Sequence, residues 1–291
     1  MISSNNYKHT VISVIFALFP LCFILGNLFI NLNLTILFLM TFTFYYDEIK
    51  DFKFNLFDKL IAVFFIYSFI VLLINFSEAK LGNETLSSII VQKTFFYLRY
   101  FFLYIALRFL LERQLIRSDW FFYLCAFFSI FVCLDIFFQF SFGKDMFGIS
   151  PVTTRKLSGP FGDELIAGGY VQRFCLFALF LPFFFKERIN PILIQIFLFV
   201  VFFFGILLSG NRVPLIIFFL SFSLIFILQK KLRKYFFLLT IIVSIILGLS
   251  YKINKPIRDN YNNFFYSVEL LTKYFYTKRS RAAAGLDNTG Y

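Results

Sequence analysis

Residues 189–211 carry no charged side chain, and after Arg212 neither do residues 213–229. A helix needs about 20 apolar residues to cross the hydrocarbon core of a bilayer, and runs near that length recur along the whole chain. They constrain the fold more than any motif does. Of the 291 residues, 60% are hydrophobic, 50 are Phe and only 15% are charged; about 25% charged is usual for a soluble domain. A soluble globule of this size has too little buried volume to hide so much apolar surface. Intrinsic disorder and nucleic-acid binding as the main role are excluded on the same ground. The expected fold class is all-α, a polytopic integral membrane helix bundle.

Gly26, Asn27, Asn31 and Asn33 interrupt the first apolar block, which predicts a tight hairpin of spans over 11–26 and 32–46. Further spans are predicted over 60–76, 94–111, 120–141, 165–185, 191–208, 213–229 and 235–250, about nine in all. Residues 1–250 then form the bundle, and 251–291 begin a polar, aromatic loop. The N-terminus does not read as a cleavable signal peptide, because Asn-rich sequence and more spans follow its apolar stretch. The abrupt change to SRAAAGLDNTGY at the end suggests a fragment or a disturbed C-terminus.

The net charge is +12, which fits an excess of Lys and Arg in cytoplasmic loops. With the N-terminus in the cytoplasm, inside segments hold twelve Lys and Arg and the outside loops before the last span hold six. That bias predicts a cytoplasmic N-terminus. It places the Gly- and Pro-rich loop 142–163 and the Ser209–Arg212 turn together on the outer face. An anionic substrate such as a lipid-linked phosphate is compatible with the same charge.

Cys22, Cys125, Cys133 and Cys175 all sit in apolar runs, and His9 is the only His. No zinc spacing exists, so the cysteines read as small core residues and no metal or cofactor is expected. Charges inside spans are costly and therefore informative. Arg99 and Asp135 each fall about six residues from the outer end of consecutive antiparallel spans, roughly 9 Å deep at 1.5 Å per residue. They are expected to face each other, either as a structural pair or with Arg99 turned to a phosphate. Arg108, with Glu112 four residues on, reads as snorkelling to the inner surface. In the outer loop, Arg155 and Lys156 precede Asp163 and Glu164, which are expected to begin the sixth span, where the helix dipole favours anions. Arg173 enters that span by about two turns and needs a polar cavity or a partner. Arg212 lies in a short turn, and its guanidinium suits bidentate phosphate binding.

The stretch from Asp135 through Gln139, Gly143 and 144–148 to LSGPFGDELIAGGYVQRF at 157–174 resembles bacterial O-antigen polymerase and O-antigen ligase-like membrane proteins. LSGNRVP at 208–214 is similar to their short outer loop with its Ser-Gly-x-Arg pattern. The resemblance covers about 90–250. It implies an inner-membrane protein acting at the periplasmic face on glycans carried by undecaprenyl pyrophosphate, without metal or nucleotide. On that reading Arg212 takes the loop-arginine role, with Arg155, Lys156 and Arg173 lining the same cavity. Glycosyl transfer develops negative charge on the leaving pyrophosphate, which fixed cations stabilise. Asp163 or Glu164 is the candidate base for an acceptor hydroxyl. The chain departs from ligase-like members in having no His after His9. Either a C-terminal piece is missing or the chain is an inactive remnant. Two other readings remain open: a flippase of lipid-linked saccharide, and a membrane subunit whose charges only join helices. No internal repeat supports the flippase.

Overall fold

The computed structural model describes residues 4–79, 96–151, 156–181 and 191–228, with single positions between 241 and 274. Among these residues every regular element is helical. In order they are α1 (Ser4–Ala17), α2 (Phe19–Leu25), α3 (Asn27–Phe44), α4 (Tyr46–Lys50), α5 (Leu56–Ala79), α6 (Arg99–Glu112), α7 (Ser118–Phe142), α8 (Ala167–Phe180), α9 (Pro191–Leu208) and α10 (Arg212–Leu228). A 3-10 turn spans Gly159–Phe161. Among the described residues three helices are long and apolar enough to cross a membrane: α3, α5 over Leu56–Ile74, and α7. The count rises to four if α1 and α2 form one bent span, and α9 and α10 are shorter apolar helices. The predicted span at 235–250 lies almost wholly outside the described residues.

Two predicted boundaries move for clear reasons. The first span, expected to be continuous, bends by 43° between α1 and α2. Pro20 sits in the first turn of α2, has no amide hydrogen to donate to the preceding turn, and crowds it sterically. The Asn-rich interruption shrinks to Gly26, whose φ of +102° suits glycine. Asn27, Asn31 and Asn33 lie inside α3. The amides of Asn31 and Asn33 bond across helices: Asn33 Nδ2 donates to the Ile15 carbonyl at 2.9 Å, and Asn31 Oδ1 accepts from Arg99.

The chain divides into two units, Met1–Cys125 and Ala126–Tyr291. In the first, α3 packs on α1, α2 and α6, and α5 packs on α6. Ile12, Leu37, Tyr45, Phe52, Phe109, Leu110 and Ile116 form its core. The segment between the spans predicted over 32–46 and 60–76 is partly folded. It holds α4 and the buried Phe52, and it ends in a reciprocal cap. The Asn55 amide donates to Asp58 Oδ2 at 2.6 Å, and the Asp58 amide donates to Asn55 Oδ1 at 3.0 Å. Two donors at the start of α5 are satisfied in this way.

In the second unit α8 packs on α9 and α10, and α9 packs on α10. Phe199, Phe203, Phe218 and Phe222 interlock along α9 and α10, with Phe199 and Phe222 edge to face at 4.5 Å. Cys133 and Cys175 are buried free thiols, as are Cys22 and Cys125 in the first unit, in keeping with their reading as small core residues. A Cβ at Gly205 would collide with Cys133 Sγ, so α9 passes close to α7 only because position 205 is glycine. The polarity of α7 is inverted relative to a water-soluble helix. Ser129, Asp135 and Gln139 are buried, whereas Phe127 and Phe142 are 62% and 71% exposed. Helices that are apolar outside and polar inside suit a hydrocarbon surround, where polar groups gain only by facing protein.

Candidate functional site

The site is built at the end of the second unit where α7 finishes and α8 and α10 begin. Asp135 and Gln139 are four residues apart on α7 and so share a face. Both are buried against the loop that follows. Asp135 Oδ1 accepts from the Met146 amide at 2.7 Å. Gln139 Oε1 accepts from the Gly159 amide at 3.0 Å, and its Nε2 donates to Ser158 Oγ at 3.5 Å. Two α7 side chains thus hold both ends of the loop through its backbone.

Between those anchors the loop folds on Asp145. Its Oδ1 accepts from the amides of Phe147 and Ile149 at 3.0 and 2.6 Å. The backbone closes the turn with Gly148 N to Asp145 O at 3.0 Å and Asp145 N to Ile149 O at 2.9 Å. Gly148 has φ +86°, which an L side chain adopts only with strain. Asp145, Ser158 and Gln139 are all buried, and each makes at least one of the hydrogen bonds above, as buried polar groups usually do.

The second loop joins the first through α8. Asn211 Nδ2 donates to the Leu165 carbonyl at 3.0 Å, and a Cβ at Gly168 would collide with Ser209 Oγ. Phe161 lies against Tyr170 at 5.4 Å between centroids, and Tyr170 against Phe174 at 4.8 Å. The 3-10 turn is therefore held onto the first turns of α8. The Gly/Pro-rich loop and the Ser-Gly-Asn-Arg turn occupy the same end of one unit.

The predicted site residues distribute as follows. Lys156 is exposed at the return of the loop, just before the buried Leu157 and Ser158. Asp163 and Glu164 are exposed, but they do not begin a helix as expected. Gly162, with φ +59°, breaks the chain after the 3-10 turn, and α8 starts only at Ala167. Arg212 is the exposed first residue of α10, and Arg173 is exposed six residues into α8. Both have partners within the protein. Arg155 lies outside the described residues.

Arg99 belongs to the first unit and Asp135 to the second, and each bonds partners of its own unit. Arg99 Nη2 donates to Asn31 Oδ1 at 2.8 Å and lies 3.2 Å from the Tyr100 hydroxyl. The Asn31 carbonyl is a neutral acceptor that the sequence places one to two turns into α3. Arg108 has a further partner beyond the expected one. Besides Glu112, at 3.3 Å, it pairs with the buried Asp58, whose other oxygen accepts from the Tyr104 hydroxyl at 2.7 Å. Phe52 stacks beneath the guanidinium at 4.7 Å. Tyr104 and Arg108 are four apart on α6, a spacing that signals a shared face; nothing local signals Asp58 as their target. Asp145, Ser158 and Ser209 were likewise not singled out by sequence. The one available sign was an Asp two residues before an aromatic and three before a glycine, a pattern that suits an Asx turn. The chain matches no known protein family, curated protein or solved structure.

Proposed function

We propose that the protein is a polymerase- or ligase-type glycosyltransferase acting on undecaprenyl-pyrophosphate-linked O-antigen or a similar surface polysaccharide. It works at the periplasmic face of the bacterial inner membrane, with about nine spans and a cytoplasmic N-terminus. The observation that carries this reading is the meeting of the two motif loops at one end of the second unit, sealed by Asn211 on the Leu165 carbonyl. Arg212 and Lys156 stand on those two loops, and Arg173 follows on the helix between them. With Arg155 they supply the positive charge that a departing pyrophosphate needs in a water-poor setting. Asp163 and Glu164, exposed on the same loop, are placed to take a proton from an acceptor hydroxyl. The proposal needs neither Arg99 nor Asp135, whose polar atoms bond Asn31 and the Met146 amide.

The test is Arg212→Ala in cells that make the polymer. The expected result is a loss of polymer of at least tenfold, about 1.4 kcal/mol of transition-state stabilisation, with membrane protein level unchanged. Unaltered polymer amount and chain length would remove Arg212 from catalysis.

A further inference from the structure

Asp135 and Asp145 each have one carboxylate oxygen that is accounted for and one that is not. The Oδ1 atoms accept from the amides of Met146, Phe147 and Ile149. The Oδ2 atoms of both are buried and have no hydrogen-bond partner. Asp135 is fully buried and Asp145 is 2% exposed. The amides of Met146 and Phe147 are consecutive in the chain, so the carboxylate of Asp135 on α7 and that of Asp145 in the loop meet the same turn. Gly159 passes over this place: the position its Cβ would occupy is 3.8 Å from Asp135 Oδ2. Gln139, four residues after Asp135 on α7, bonds Ser158 Oγ and the Gly159 amide on the returning loop.

Two buried carboxylates without a counter-charge are strongly disfavoured, because burial strips the charged form of water and nothing repays the loss. Among the described residues no cationic side chain lies within ion-pair distance of either. On the loop, Lys144, Lys156, Asp163 and Glu164 are exposed. The titratable groups of α8 are Tyr170, Arg173 and Cys175; α9 has none and α10 has only Arg212. Backbone amides supply partial charge for the Oδ1 atoms alone. We propose that Asp135 and Asp145 form a binding site for a small cation, taken by a proton or a sodium ion, at the end of the second unit. A proton would bridge the orphan oxygens and leave one net negative charge. A sodium ion would be held by the same two oxygens, with further oxygen ligands from Ser158 or Gln139.

The full chain in detergent tests this. Its thermal unfolding midpoint is followed against NaCl, with choline chloride at equal ionic strength as control, from pH 6 to pH 9. A sodium site raises the midpoint with NaCl and not with choline. A bound proton, released on unfolding, stabilises at low pH; that gain is lost as pH rises, equally in both salts. Either response should be lost in Asp135→Asn, with Asp145→Asn serving if the first variant does not fold. A wild-type midpoint that follows neither sodium nor pH overturns the proposal. So does a response that persists unchanged in the variants.

Discussion

Asp58 shows how a single buried carboxylate organises its surroundings. It caps α5 through Asn55, pairs with Arg108 and accepts from Tyr104. Its side chain is 1% exposed and that of Arg108 18%, so removing one charge strands the other in a poorly hydrated place. Asp58→Asn should destabilise by about 3 kcal/mol, within the range for breaking a buried pair. Tyr104→Phe removes one hydrogen bond to a charged acceptor and should cost about 1.5 kcal/mol. Thermal unfolding of the purified protein in detergent checks the order; equal losses would show that the pair contributes no more than the hydroxyl. The sequence displayed all three residues but gave no reason to join them. Asp58 fell between two predicted spans and drew no reading of its own, and Arg108 read as a residue reaching for the membrane surface.

At the scale of elements, close approach of helices depends on what is missing from their faces. Gly168, in the first turn of α8, leaves room for Ser209, whereas a Cβ at Gly169 would meet only Pro214 Cγ at 3.9 Å. Gly168→Ala should therefore destabilise by roughly 1–3 kcal/mol, as overpacking does, and Gly169→Ala should be tolerated. Ser209→Gly combined with Gly168→Ala should recover part of the loss in the same unfolding measurement; no recovery would place the clash elsewhere. Adjacent glycines in the sequence look equivalent. Their difference comes from the direction in which each Cα faces, one toward the α9–α10 turn and the other toward the start of α10. The same reasoning explains the Asn-rich stretch of α3. It read as a break because amides disfavour a lipid-facing helix, but Asn31 and Asn33 face other helices and find partners there.

For the whole molecule, the proposed topology makes a direct prediction. Cysteines introduced at Lys156 and Arg212 should react with a membrane-impermeant maleimide from the same side, and one at Lys50 from the other side. The four native thiols are buried and should stay silent. Labelling of positions 156 and 212 from opposite sides would be incompatible with the hydrogen bond and packing that join their loops. Membrane character, the approximate positions of the long helices, and the presence of polar groups inside them were all determined by the sequence alone. These follow from hydropathy and length, which sum over local residues and need no knowledge of neighbours. Only the tertiary structure decided the partners: Asn31 for Arg99, Asp58 for Arg108, and loop amides for Asp135. Which polar groups meet depends on each helix's rotation and on loop paths, and a change of one residue in helical phase turns a side chain by about 100°, enough to exchange one partner for another.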